Sequence, residues 1–350
     1  MSQNRTTPIT IFDVAKRAGV SYSTVSRVVN NYPFIKPSTR TKVQAAMEEL
    51  GYVANLKARS LAGGRSQIIG VLIYDLNTNY SVEVVRGIDE EVSSSDYDMI
   101  LSTTHHRSKK EADHVAKLAQ GLVDGLLIIL PSNLNAYVDT LESQGYPFVL
   151  IDHEGLQRNG SFSIQATNYR GGYDATRHLL DLGHRRIAIV AGPYSQTAAV
   201  SSAADRLSGY YAALQEAHID RDTDLIYEGD FSFEAGQSSA HKFLDLADPP
   251  TAIFACSDEA AFGVIAVAQT RGLDVPGDLS VIGFDDIPEA AYHRPALTTI
   301  HQPLREMGRR ATRMLIDHLE GTDSVPPRIE LPTRLKNRAT TNPPKKKTDG

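Results

Sequence analysis

The chain has 350 residues, 41% hydrophobic and 22% charged with 25 glycines and 17 prolines, the composition of an ordinary globular protein and the length of two or three domains. No apolar run approaches the ~20 residues that cross a bilayer, residues 1–10 lack the apolar stretch of a secretory leader, and the single cysteine, Cys256, excludes an internal disulfide or a paired-cysteine metal site. A cytoplasmic protein without membrane attachment is expected. The net charge of −6 is unevenly spread: residues 1–65 hold 10 Lys/Arg against 3 Asp/Glu, residues 66–335 hold 21 against 38, and residues 336–350 hold 5 against 1. A basic head on an acidic body predicts a polyanion-binding module joined to a domain with another task. A solvated basic face is the plainer alternative.

The first helix is predicted from Ile11, Val14, Ala15 and Ala18, spaced as one apolar face, with Thr10 and Asp13 as a capping pair and Gly19 as its end. Ser21 caps a second helix running to about Asn30, whose Val25, Val28 and Val29 face the first. A third carries Val43, Ala46, Met47 and Leu50, opened by Ser38 and closed by Gly51. Two short helices joined by a glycine-containing turn match a helix-turn-helix, whose second helix enters the major groove of DNA. That helix offers Tyr22, Ser23, Thr24, Ser26 and Arg27. Arg27 suits bidentate contact with a guanine edge, while the hydroxyls of Thr24 and Ser26 suit phosphates. A three-helix bundle with a merely solvated polar face is the competing reading.

The segment Asn55 to Leu61 is compatible with a helix but too short to hold one alone, so it reads as a linker that folds on a supporting surface. Leu61 has no core in reach, and such a side chain can wedge between base steps in a minor groove.

Ile9 to Asn30, ITIFDVAKRAGVSYSTVSRVVN, closely resembles the DNA-binding segment of the lactose/galactose repressor (LacI/GalR) family, and GYVANLKARSL resembles the hinge helix that follows it there. The resemblance implies that Tyr22, Ser23 and Arg27 hold base-reading positions, that Asn55 opens the hinge, and that Leu61 is the wedge at the operator's central step. Thr10, Asn30 and Arg59 are assigned to the same DNA-binding set.

Beyond Gln67, β-rich apolar runs alternate with helical stretches. The runs are Ile68–Tyr74, Met99–Thr103, Leu126–Leu130, Phe148–Asp152, Ile187–Ala191, Ala252–Ala255 and Val281–Phe284. Near-continuous apolar strands predict parallel sheets covered on both faces, and seven or more of them suit two subdomains better than one. Ligands of such sheets bind at the carboxyl ends of strands, which directs attention to Asp75, Asp152, Ser257, Asp258, Asp285 and Asp286. A carboxylate accepts from vicinal hydroxyls of a sugar, and Arg206, Tyr80 and Phe231 complete a plausible polyol site. A helix cap or a loop solvator is the commoner fate of an Asp after a strand.

The stretches HLLDLGHRRIAIVAGP, RLSGYYAAL, FACSDEAAFG, VIGFDD and LTTIHQP resemble the effector-binding domain of the same family. The fold so implied is that of the periplasmic sugar-binding proteins, two lobes joined by three crossovers with the effector between them. By the same resemblance Asp152, Arg206, Ser257 and Asp285 hydrogen-bond the effector, Phe231 stacks on it, and Tyr80 lies on the first-strand loop facing it. Asp258 is assigned to this effector-binding set as well.

No dinucleotide or P-loop glycine motif and no hydrolase nucleophile elbow occurs. His105, His106 and His114 match no zinc spacing, and Cys256 reads as a buried structural thiol. The expected architecture is a helical helix-turn-helix head (1–54), a hinge and linker (55–65), and a two-lobed α/β effector domain of parallel sheets (66–335). Its first lobe spans about 66–166 and 302–327, its second about 167–301 and 328–335, and a disordered tail (336–350) follows. The function expected is that of a non-enzymatic, homodimeric transcriptional repressor of carbohydrate-utilisation genes. It binds a pseudo-palindromic operator in double-stranded DNA, is released by a small sugar effector, and needs no cofactor or metal. The alternatives are the same regulator with a purine or sugar phosphate as effector, a solute-binding receptor, and a sugar-processing enzyme.

Overall fold

Ile11, Val14, Ala15 and Ala18 line the inner side of α1 (Ile11–Ala18), where Val14 and Ala15 are buried. The Thr10 backbone N–H donates to the Asp13 carboxylate at 2.8 Å, and Gly19, at φ 65°, ends the helix in the left-handed region that an L side chain resists. After a three-residue turn, Ser21 Oγ accepts from the Thr24 N–H at 3.2 Å to start α2 (Tyr22–Val29). Helix α3 (Pro37–Leu50) starts one residue before the expected Ser38, because Pro37 at its first position supplies the helical φ and lacks only a donor that would be orphaned there. Val14, Val25, Val28, Val43 and Ala46 meet in the head's core.

The structure is a computed structural model that describes residues 9–29, 32, 34–52, 65–105, 107–131, 133–153, 162–194, 201–322 and 326–345. Asn30, Asn55, Arg59 and Leu61 lie outside the described residues. The chain divides into a first unit, to Ile68 with 117–124, and a second holding the rest. In the first, Asp124 accepts from the Ser66 and Gln67 N–H groups at 2.7 and 2.8 Å.

The second unit contains two sheets of six strands each. In chain order the elements are β1 (Ile68–Ile73), α4 (Asn79–Val92), β2 (Asp98–Thr103), α5 (Ser108–Ala119), β3 (Gly125–Ile129), α6 (Val138–Ser143), β4 (Phe148–Ile151) and β5 (Phe162–Ala166). Then come α7 (Asn168–Asp181), β6 (Ile187–Ala191), α8 (Ser201–Glu216), β7 (Ile226–Glu228), α9 (Phe233–Leu244), β8 (Ala252–Ala255), α10 (Asp258–Thr270) and β9 (Ser280–Asp285). The chain closes with α11 (Pro288–Tyr292), β10 (Thr298–His301), α12 (Leu304–Glu320), β11 (Arg328–Leu331) and β12 (Arg334–Lys336).

The first sheet runs β11-β5-β4-β3-β1-β2 and the second β12-β10-β9-β8-β6-β7. Among the described pairings only β10–β12 is antiparallel. The inner strands β1, β3, β4, β6, β8 and β9 are buried at every position, as parallel strands covered on both faces must be. The chain crosses between sheets three times, after β5, after β10 and between β11 and β12. At two of these crossings Thr167 Oγ1 and Thr333 Oγ1 lie 2.8 Å apart.

Two expected boundaries are corrected. The second lobe was expected to resume at 328, but β11 pairs in parallel with β5, Arg328 opposite Ser163, so the first lobe extends to Leu331. The tail was expected to be disordered from 336, but as far as Lys345 it is held to the second sheet. Val281 N–H donates to Thr340 O at 2.8 Å, Thr298 N–H to Thr340 Oγ1 at 2.9 Å, and His184 Nε2 lies 2.8 Å from Asn342 O. Threonine hydroxyls and backbone carbonyls, which composition does not weigh, satisfy the backbone groups left open there.

Candidate ligand cavity and nucleic-acid interface

The strands of both lobes end at a common cavity. Tyr74 follows β1, Leu130 follows β3, Asp152 follows β4, Phe231 follows β7, Ser257 follows β8, and Asp285 ends β9. Four of these leave their strands at positive φ, Leu130 at 47°, Asp152 at 55°, Phe231 at 68° and Asp285 at 122°. Strained non-glycine turns of this kind persist where surrounding structure holds them and are frequent at ligand sites. The first turns of α4 and α10 and the start of α8 add Thr78, Tyr80, Glu259, Ser202 and Arg206. The empty space between these side chains, mouth included, is about 400 Å³.

Arg206 organises the polar side. Its Nε donates to Asn168 Oδ1 at 3.0 Å and its Nη1 to the Cys256 carbonyl at 2.6 Å, with Asp285 Oδ1 at 3.9 Å. The guanidinium lies 3.8 Å from the centre of the Phe284 ring and 5.7 Å from that of Phe231, so two aromatic faces support the charge. Asp152 accepts from Tyr80 Oη at 3.0 Å and from Asn168 Nδ2 at 3.4 Å, and Asp285 accepts from Gln302 Nε2 at 2.6 Å. Burial raises the Asp285 carboxyl to about 7 despite the opposing pull of Arg206. Burial also raises Glu259 and, with Asp152 beside it, the Tyr80 phenol. Gly192 leaves room for the Phe231 ring, since an added Cβ would collide with it.

Six of the seven effector residues expected from the sequence thus line one cavity: Tyr80, Asp152, Arg206, Phe231, Ser257 and Asp285. Tyr80 does so from α4 rather than from a loop. Asp258 does not line it. That carboxylate is fully buried, accepts from Ile287 N–H at 2.9 Å and from Thr299 Oγ1, and faces Gly283 at the back of β9. Ser257 caps α10, its Oγ accepting from Ala260 N–H at 3.1 Å. Sequence reasoning missed Glu259, which occupies the cavity position assigned to its neighbour. Successive residues of a helix point about 100° apart, and only the fold shows which one faces the ligand. Asp75 accepts from Asn77 N–H at 2.9 Å, while Asp286 is held by His301 and Arg338; neither lines the cavity. The Cys256 thiol is buried and raised to about 12 by that burial, which leaves it inert. Among the described residues no group of His, Cys, Asp and Glu has metal-site geometry. No helix there is long and apolar enough to cross a membrane.

In the head, Tyr22, Ser23 and Arg27 are exposed on α2, Thr24 and Ser26 are half-buried, and Thr10 is exposed at the start of α1. The Ser23 and Thr24 hydroxyls lie 2.9 and 2.8 Å from Ser21 Oγ, turned toward the helix cap. The Tyr22 ring stacks on Phe12 of α1, centroids 5.1 Å apart and planes at 19°. Phe12 is 66% exposed and was not singled out from the sequence.

A two-lobed α/β body with a polar cavity between its lobes, carrying a helix-turn-helix head, defines a ligand-responsive DNA-binding regulator. Residues 10–55 match the model of bacterial regulatory proteins of the lacI family, and residues 176–341 match a periplasmic binding protein-like domain. The HTH-type transcriptional repressor PurR of Proteus mirabilis (strain HI4320) is 37% identical over 330 residues, 94% of this chain and 96% of that protein. The lac repressor dimer bound to operator and the anti-inducer ONPF superposes with a TM-score of 0.81 at 32% identity, covering 96% of this chain and 100% of that one. The complex of the transcriptional regulator CelR with cellobiose gives 0.71 at 32% identity, with 95% and 99% covered. The chain belongs to the LacI family. It is a DNA-binding transcriptional repressor and not an enzyme, and the solute-receptor alternative gives way with the enzyme one.

Proposed function

We propose that the protein is a homodimeric repressor of carbohydrate-utilisation genes that a sugar bound in the inter-lobe cavity releases from its operator. The observation that carries the sugar is the combination of Asp152, Asp285 and Arg206 around one space with the Phe231 ring beside it. Ionised carboxylates accept from vicinal hydroxyls, the guanidinium donates to ring or hydroxyl oxygens, and an aromatic face packs on the C–H face of a pyranose. A purine is the second reading, favoured by the rings of Tyr74, Tyr80 and Phe231 in the lining.

Two heads on adjacent major grooves read a pseudo-palindrome, because operator symmetry mirrors that of the dimer. Tyr22, Ser23 and Arg27 contact base edges, and Thr10, Thr24, Ser26 and Asn30 contact the backbone. Asn55, Arg59 and Leu61 belong to a hinge that forms in the minor groove, where bending offsets the cost of unstacking. The effector acts through its differential affinity for two arrangements of the lobes, and only that difference moves the equilibrium. This reading places the protein in the cytoplasm with its DNA.

A thermal-denaturation screen of the full chain against sugars, sugar phosphates and purines tests the reading. A ligand at 100 times its Kd stabilises by about 2.7 kcal/mol. A selective sugar that also lowers operator affinity supports the proposal, whereas a purine that alone raises the Tm replaces the sugar with the second reading.

A further inference from the structure

The cavity lining holds a contact that neither sugar nor DNA recognition explains. Glu259, in the first turn of α10 in the second lobe, reaches the start of α4 in the first. Asn79 Nδ2 donates to Glu259 Oε1 at 3.4 Å, and the Asn79 backbone N–H lies toward the same carboxylate and favours its ionised form. A helix N-terminus with open N–H groups is where an anionic group of a ligand would settle. Here the protein's own carboxylate already occupies it.

The cavity's other cationic feature is equally committed. Arg206 is the one cation among the described lining residues, and two of its three nitrogens are spent on Asn168 and Cys256. Three of its five N–H donors are left for a ligand, on a guanidinium already engaged along its Nε edge. Against this single charge stand three carboxylates, Asp152, Asp285 and Glu259.

We propose that Glu259 is a specificity-determining residue that reserves the cavity for ligands without an anionic group and turns phosphate esters away. The inference rests on the inter-lobe cavity being the effector site, as proposed above, but not on the effector being a sugar. The raised carboxyl of Glu259 agrees with it: after burial, Glu289 and Glu234 contribute to the shift. That of Asp285 is raised in part by Asp152 and Glu259. Wherever these carboxyls are ionised their charges crowd one another, and a like charge brought among them is disfavoured.

The test uses matched pairs on the full-length protein: glucose with glucose 6-phosphate, ribose with ribose 5-phosphate, and adenosine with adenosine 5′-monophosphate. Binding is followed by calorimetric titration and by Tm. Glu259→Gln keeps an oxygen for Asn79 Nδ2 and removes the charge; Glu259→Ser opens the α4 N-terminus altogether. A wild-type Tm that rises with the uncharged member of a pair and not with its ester supports the proposal. So does an ester-to-parent affinity ratio that grows about tenfold or more in Glu259→Gln. An ester that binds the wild type as tightly as its parent overturns it, as does a ratio unchanged in both variants whose ligand-free Tm matches the wild type. Selectivity shown on adenosine alone upholds the role of Glu259 while removing the sugar, so the two readings fail separately.

Discussion

Tyr22, proposed above to read bases, shows how such a side chain is prepared before DNA is met. Its ring is 46% exposed yet lies flat on Phe12, which is itself exposed and has no place in the head's core. An aromatic stack of this kind is worth about 0.5–1.5 kcal/mol, enough to bias the tyrosine rotamer without fixing the fold. Phe12→Ala is expected to lower the Tm of the head by a few degrees while weakening specific operator binding several-fold more than binding to random DNA. Equal losses on both DNAs would remove the positioning role. Arg27→Ala is expected to cost about 1–3 kcal/mol on the operator and to relax preference at one base pair, as read by binding to a set of single-base operator variants. In the cavity, Asp285 titrates near pH 7 because it is buried. A hydroxyl-donating effector needs the ionised carboxylate, so binding releases a proton there. Effector affinity is expected to rise as pH increases through about 7 and to fall below it. Asp285→Asn is expected to lose the response to effector while keeping operator binding.

What could be read of the site before folding was decided at this same scale. Asp152, Ser257 and Asp285 were found because strand ends converge in parallel α/β sheets, and Arg206 through its resemblance to family members. Phe12 escaped because an apolar residue on the polar face of a helix carries no period to betray it. Asp258 was misassigned in favour of the cavity over Glu259 because both sit in the first turn of α10, and the rotation of a helix about its axis is set by packing, not by sequence order.

At the level of elements, six of the eight strands flanked on both sides were legible together with the edge strand β2, while β5 and β10 and the edge strands β7, β11 and β12 were not. β1, β3, β4, β6, β8 and β9 are continuous apolar runs, whereas β7, β11 and β12 are short and partly exposed, with no run to mark them. Arg206 is placed by the packing of α7 against α8. An added Cβ at Gly172 would meet the backbone of Arg206, and one at Gly209 the backbone of Tyr169, so the two helices approach at reciprocal glycines. Gly172→Ala is expected to destabilise by about 1–3 kcal/mol through overpacking. It should also cost effector binding, because moving α8 draws the guanidinium from the Cys256 carbonyl. Retained affinity in a variant of lowered Tm would separate the site from this packing.

The C-terminal strap is a second element whose contribution titrates. His184 lies between Thr251 Oγ1 at 2.8 Å, Ser280 Oγ at 3.1 Å and Asn342 O, and His178 Nε2 lies 2.9 Å from Thr341 Oγ1. Burial lowers both imidazoles below their usual value, so the folded state prefers them neutral. Their contribution is full above about pH 6.5, the unfolded value, and is lost as pH falls below it, because the unfolded chain then binds more protons. Removing residues 337–350 takes away Thr341 and Asn342 and exposes these rings. The truncated protein is expected to have a lower Tm at pH 7.5 and a smaller further loss between pH 7 and 5.5 than the intact chain. Parallel curves would mean that the strap does not set the histidines' environment.

Over the whole molecule, charge divides the work. Residues 1–65 hold 10 Lys/Arg against 3 Asp/Glu, while residues 66–335 hold 21 against 38. The acidic body therefore repels DNA, and on the proposed function counterion release is confined to residues 1–65. Operator affinity is expected to fall steeply and log-linearly with salt. Arg27→Ala, which under the proposed assignment removes a base contact, should lower the line without changing its slope, whereas removing a phosphate contact reduces the slope by about one. The effector-site variants Arg206→Ala and Asp285→Asn should superpose on the wild type in the absence of effector at every salt concentration. With effector present, wild-type operator affinity should shift by a coupling of about 1–3 kcal/mol, and the two variants should not shift at all. By linkage, saturating operator must change effector affinity of the wild type by the same factor. If Asp285→Asn or Arg206→Ala altered the effector-free salt line itself, the cavity would be part of the framework that holds the DNA-binding arrangement rather than the sensor that biases it.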